Sequence, residues 1–189
     1  MSTNSKKFEM ICIKRWIVLR NYILSYKVSN VYYSDSDVMV YDNLGELYQA
    51  NYSSFEMCYT MPVDQDNFRW TASGCCSYWS LKAITLFVDF IFECYSETGI
   101  KKLEEKWNYH TGNGISGGVC DMTLLYLFHD KVNFRSLSAE NNGVAFDQNF
   151  TDGENYFRNE YPTEFSKDFG LNIKKVQWDS GKPFAQNLV

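Results

Sequence analysis

Apolar positions over residues 12–26 recur every three or four residues: Ile13, Trp16, Ile17, Leu19, Ile23 and Leu24. Side chains at that spacing share one side of a helix, so the segment predicts an amphipathic helix. Asn30 opens a run without polar interruption, Val31-Tyr32-Tyr33, which predicts a short buried strand ending at Ser34-Asp35-Ser36-Asp37. Val38-Met39-Val40 is expected to continue it, and Asn43-Leu44-Gly45-Glu46-Leu47 to form a short helical turn. Phe55, Met57, Tyr59 and Met61 alternate with Glu56, Cys58 and Thr60, a strand pattern stopped by Pro62. Residues 68–72 form another strand candidate, closed by Ser73-Gly74. Residues 79–97 are apolar on most sides and predict a buried helix, with Gly99 just past its end as a cap. Residues 101–107 read as a charged surface helix, 110–118 as a Gly-rich loop, and Asp121 opens an apolar helix over 122–128. Short strands are expected at 134–138, 144–147 and 173–178, with a polar loop over 149–170. Strands alternate with helices, so the expected class is α/β.

The 189 residues fit a single domain, residues 1–189, with no repeat and no Pro/Gly/Ser linker. Apolar residues make up 45 %, enough for a core, and a formal net charge of −5 argues against a nucleic-acid partner. Six cysteines without a C-x-x-C pair, two histidines and a polar start at residues 1–7 point to a reduced, cytoplasmic setting and away from a zinc centre. The longest apolar run, residues 83–92, is interrupted by Thr85 and Asp89, so no transmembrane segment is expected. Aromatic residues reach 17 %, a fraction that serves stacking surfaces as well as a core.

Asp35-Ser36-Asp37 is the first candidate for chemistry. In extended chain, residues i and i+2 point to the same side. Two carboxylates there, at the end of a buried strand, suit Mg²⁺ or Mn²⁺. The spacing alone is weak, because twelve aspartates in a chain of this length give about 0.8 chance matches. A second match, Asp64-Gln65-Asp66, follows Pro62 in a polar loop and is read as the chance one. For Asp35 and Asp37, spacing leaves a metal pair and a solvated turn equally open.

The segment Tyr32-Tyr33-Ser34-Asp35-Ser36-Asp37-Val38-Met39-Val40-Tyr41-Asp42-Asn43-Leu44-Gly45-Glu46-Leu47 resembles the metal-site segment of nucleotide-sugar glycosyltransferases of the GT-A fold. The preceding helix with Arg15-Trp16 is similar to the family's helix before that motif. Ser73-Gly74-Cys75-Cys76-Ser77-Tyr78-Trp79-Ser80 resembles its acceptor-side strand. Gly117-Gly118-Val119-Cys120-Asp121-Met122-Thr123 resembles the segment where an acidic residue at a helix start faces the sugars. Residues 176–184, with Gly181-Lys182-Pro183, are similar to a late element of glycogenin-like and galactosyltransferase-like members. The likeness runs in order from Arg15 to Phe184.

This resemblance implies a GT-A-like mixed sheet flanked by helices. It implies transfer of a sugar from a nucleoside-diphosphate sugar donor to a hydroxyl of a glycan or glycoconjugate acceptor, in the cytosol and often peripheral to a membrane. Asp35 and Asp37 would hold Mn²⁺ or Mg²⁺. Arg15, Ser73, Gly74 and Gly118 would line the donor and acceptor, and Gln177 and Lys182 would approach the diphosphate. Asp121 would contact sugar or accept a proton, against the plainer role of capping its helix. Lys182 has the alternative of a surface turn lysine. Two departures stand out. Gln177 falls where the family often has a histidine ligand. Only 34 residues precede Asp35, so the family's amino-terminal nucleotide-binding unit is expected to be missing or shortened, leaving an exposed edge prone to self-association. A truncated or degenerate relative serving as a binding module is the second reading. A nucleotidyltransferase is disfavoured because residues 1–20 contain no glycine.

Overall fold

The computed structural model describes residues 1–189. Helix α1, Lys6–Tyr26, opens it; the Ser5 side chain accepts from the Phe8 N–H, and Lys27 closes the helix in a left-handed conformation. Strand β1, Asn30–Ser34, follows, then α2, Leu44–Asn51, capped by the Asn43 side chain. Strands β2, Met57–Thr60, and β3, Ser73–Ser80, lead into helix α3, Leu81–Cys94. Helices α4, Ile100–Gly112, and α5, Asp121–Phe128, precede β4, Phe134–Ser136. The rest forms two ribbons, β5 (Thr163–Ser166) with β6 (Leu171–Lys174), and β7 (Gln177–Asp179) with β8 (Lys182–Phe184).

One mixed sheet organises the first 136 residues, in the order β1-β3-β2-β4. Strand β3 runs antiparallel to both neighbours and β2 parallel to β4. The period of two sends alternate side chains to opposite sides. Val31, Tyr33, Met57, Tyr59 and Trp79 join the main core under α1, α3 and α5, with Trp16, Phe87 and Phe128. Tyr32, Cys58 and Tyr78 join a smaller cluster on the other side, beside Tyr48 and Tyr52 of the α2 segment. The chain is thus mixed α/β, a sheet between two unequal layers. No helix is long and apolar enough to cross a membrane.

Several expected elements differ. Val38–Val40 is not strand, because β1 ends at Ser34 and a turn begins after Asp35. Residues 68–72 are a turn in which Phe68 and Trp70 have positive φ (55° and 34°), values a strand does not contain. Trp79 belongs to β3, not to a helix: it pairs with Val31 and Met57, and Ser80 caps α3 through the Ala83 N–H. Gly99 stands before α4 rather than capping α3; a Cβ there would lie 2.1 Å from the Glu93 carbonyl oxygen. Residues 144–147 follow an Asn142-Gly143 turn and carry only an isolated bridge. The expected strand at 173–178 is split between β6 and β7, and the expected loop at 149–170 contains β5.

Candidate functional site

Arg15 lies on α1 one residue from Trp16, whose indole is fully buried in the main core. That placement aims the guanidinium past the end of β1 and at the start of α5. Arg15 Nη1 donates to Asp35 Oδ1 at 2.9 Å, and Nη2 donates to Asp121 Oδ2 at 2.5 Å. Arg15 Nε and the Trp16 indole N–H also donate to Asp121 Oδ2, at 3.2 and 3.1 Å. The Tyr33 hydroxyl donates to Asp35 Oδ1 at 2.7 Å. Residues 106 apart in sequence therefore meet around one guanidinium, which also lies 4.8 Å from the Trp16 ring centroid. Burial works against the charge on Arg15. Asp121, by attraction and hydrogen bonding, and then Tyr33 and Asp35, more than offset it and hold the guanidinium charged.

The two carboxylates differ in access. The Asp121 side chain is 4 % exposed and Asp35 is 32 % exposed. Asp121 is not the helix cap; Cys120 holds that position, and Asp121 is the first residue of α5. It lies beneath Arg15, where it anchors the cation. Asp35 is the member that solvent reaches. Asp37 is exposed in the turn after it.

The other expected residues divide into three groups. Ser73, Gly74 and Cys75 open β3 beside Asp35, whose N–H donates to the Cys75 carbonyl at 2.9 Å. Gly74 has a structural reason to be glycine, since a Cβ would lie 2.4 Å from the Trp16 ring. Gly118 has one too: with φ of 118°, a Cβ would meet the Met1 carbonyl oxygen at 2.7 Å and the Trp107 ring at 2.8 Å. Lys182 and Gln177 are on the β7–β8 ribbon, which reaches the segment after Asp37. Lys182 Nζ donates to Asp42 Oδ2 at 2.7 Å, and Trp178 meets Tyr41 edge-on at 5.5 Å. Gln177 itself is exposed.

Tyr33 and Trp16 are the contributors that sequence reasoning passed over. Tyr33 was within reach, being two residues before Asp35 on the same side of an extended chain. The Trp16 indole N–H left no local signal, because its acceptor comes from α5. No family model, curated protein or solved structure matches the chain.

Proposed function

We propose that this protein is a metal-dependent glycosyltransferase that moves a sugar from a nucleoside-diphosphate sugar to a hydroxyl of a glycan or glycoconjugate. The supporting observation is the gathering of Arg15, Asp35 and Asp121 at the end of one central-sheet strand. The β7–β8 ribbon bearing Lys182 is docked on the segment that follows Asp37. The mixed sheet between helical layers is compatible with a GT-A-like domain, and the absence of a spanning helix with work in the cytosol or at a membrane surface.

Asp35 and Asp37 carry hard oxygen donors, but no group of three His, Cys, Asp or Glu that could hold a metal ion forms, and Asp37 stands in the turn after β1 rather than on extended chain beside Asp35. Mn²⁺ or Mg²⁺ would therefore be held by one or two carboxylates and completed by substrate phosphates, not by a closed protein cage. When bound, such an ion offsets charge building on the leaving diphosphate. In this reading Asp121 is a positioning residue. It secures Arg15 from below, so that Arg15 Nη1, now on Asp35, is free to turn to a phosphate or sugar oxygen once Asp35 faces the ion. Lys182 supplies a second cation by leaving Asp42.

A non-catalytic relative is the second reading, favoured by the full engagement of Asp35 by Arg15 and Tyr33. The two separate by turnover. Incubation with a panel of nucleoside-diphosphate sugars and Mn²⁺ is expected to release the nucleoside diphosphate, and Arg15→Lys to slow that release by about tenfold or more, since a lysine lacks the rigid fork that holds Asp121 through Nε and Nη2 while Nη1 reaches Asp35. Donor binding in calorimetry without any release, with or without glycan acceptors, would favour the binding module and contradict the transferase.

A further inference from the structure

The turn that joins β2 to β3 presents two large rings from a strained backbone. Phe68 and Trp70 have φ of 55° and 34°, in the left-handed region that bulky side chains avoid. Residues held this way persist only where their surroundings over-determine them. Two buried side chains of α4 do so here. Lys106 Nζ donates to the Arg69 and Trp70 carbonyls at 2.8 and 3.1 Å, and His110 Nε2 donates to the Phe68 carbonyl at 3.1 Å. Gln65 closes the turn from within. Its amide donates to the Pro62 and Thr71 carbonyls and accepts from the Thr71 N–H.

Core packing does not account for this arrangement. Phe68, Trp70 and Tyr109 of α4 are half-buried and belong to neither apolar cluster. They pack on one another, with ring centroids 4.8 Å apart for Phe68 and Trp70 and 5.0 Å apart for Phe68 and Tyr109. Trp70 continues the strip to Tyr126 on α5, the two rings lying within 15° of parallel. The exposed groups beside these rings are polar. Asn67 Oδ1 accepts from the Tyr109 hydroxyl at 3.2 Å, Asn108 precedes Tyr109, and Lys102 Nζ lies 5.5 Å from the Trp70 centroid. Rings rimmed by amide and ammonium groups suit a ligand that is apolar on one side and hydroxylated at its edges. A pyranose has that form: its C–H groups rest on the negative side of an aromatic ring while its hydroxyls meet the polar rim.

We propose that Phe68, Trp70 and Tyr109 form a stacking site for a saccharide chain, separate from the cluster of Arg15, Asp35 and Asp121. Its place in the fold agrees. The Ala72 N–H donates to the Met122 carbonyl at 3.1 Å, so the turn runs alongside the start of α5, where Asp121 stands. Strip and cluster are thus joined through α5, and a chain held on the strip stays close to the cluster. The choice of a saccharide rests on the proposed transfer to a glycan, but binding at the strip requires neither metal nor nucleotide.

Affinity electrophoresis of the full chain tests this, in native gels cast with dextran, laminarin, mannan or galactan and without Mn²⁺ or nucleotide. Retardation by at least one of these is expected. Phe68→Gly and Trp70→Gly are each expected to weaken it at least about tenfold. Glycine adopts the left-handed backbone without steric cost, so the melting temperature is expected to hold or rise. Asp35→Asn with Asp37→Asn is expected to bind as the wild type does, which separates a failure of this site from a failure of the proposed transfer. No retardation in any gel would overturn the proposal, as would retardation unchanged in both glycine variants. A steep fall of melting temperature in both would make the rings a packing cluster and overturn it equally. Self-association abolished by Trp70→Gly would give the strip to a second copy of the chain, with the same consequence.

Discussion

Residues 1–138 and residues 139–189 bury different kinds of side chain. The first part holds every buried apolar residue, with Trp16, Tyr59, Trp79, Phe87 and Phe128 packed ring against ring. In the second part the buried residues are Asn155, Glu160 and Lys174, all polar. Asn155 donates to the Ser138 and Phe146 carbonyls, and its own side-chain oxygen accepts from the Gln148 N–H. Glu160 accepts from the N–H groups of Tyr156 and Phe157, and Lys174 donates to Asp147 and the Asn149 carbonyl. The first region is held by non-directional burial, which tolerates small movements. The second is held by directional bonds, each worth only about 1 kcal/mol net but costly to leave half-made. Arg15, Asp35 and Asp121 are rooted in the apolar core, whereas Lys182 is carried by the polar ribbons and meets Asp42.

The sharpest way to break this contrast is to remove the same residue type from both regions. Trp16→Ala is expected to cost about 3–5 kcal/mol, a large share of the roughly 5–15 kcal/mol that holds a domain folded. Trp178→Ala, at a site 61 % exposed, is expected to cost less than about 0.5 kcal/mol. Urea midpoints compare them directly, and similar losses would contradict the division. Next in size is Asp121→Ala, which leaves Arg15 half-compensated in a partly buried site and is expected to cost about 3 kcal/mol. Asp121→Asn, which keeps an oxygen for the Trp16 indole N–H, is expected to cost less, with both read in the same titration. Lys174→Ala is expected to act locally. Cleavage by a dilute protease within residues 139–189 should speed up severalfold, while the melting of the core shifts by less than about 1 kcal/mol.

A pH-dependent effect concerns Lys106, buried on α4, whose Nζ donates to the Arg69 and Trp70 carbonyls and to Thr123 Oγ1. Burial, with no carboxylate partner, pulls its pKa down to about 8. An unfolded chain holds that proton up to about pH 10.4, so between these values the unfolded state binds more protons. Stability should therefore gain from this group as pH rises from about 8. Lys106→Met removes the contribution, and the difference between its melting curve and that of the wild type from about pH 7.5 to 9.5 isolates it. A flat difference would contradict the burial argument.

The periodicity of the first 138 residues made α1, β1, β2 and α5 readable, because packing there obeys the repeats of 3.6 and 2. The turn at residues 68–72 was not readable for a nonlocal reason: its carbonyls are held by a lysine 36 residues away. Residues 149–170 gave no period because their order rests on side-chain bonds to backbone, as at Asn155 and Glu160, which leave no hydrophobic pattern. Asp35 was singled out from its Asp-x-Asp spacing, and Arg15 and Asp121 through the resemblance. Their meeting, and the share of Tyr33 and Trp16 in it, depends on how α1 lies across the sheet, which the composition of α1 does not encode.

The most direct test of the proposed site is thermal unfolding with Mn²⁺ and uridine or guanosine diphosphate, alone and together, in the wild type and in Asp35→Asn with Asp37→Asn. A ligand bound only by the folded chain at 100 times its Kd adds about 2.7 kcal/mol, or roughly 5–10 °C for a domain of this size. The account predicts that rise only when metal and diphosphate are both present, and none in the double variant. No rise with any combination, or an equal rise in the double variant, would contradict it.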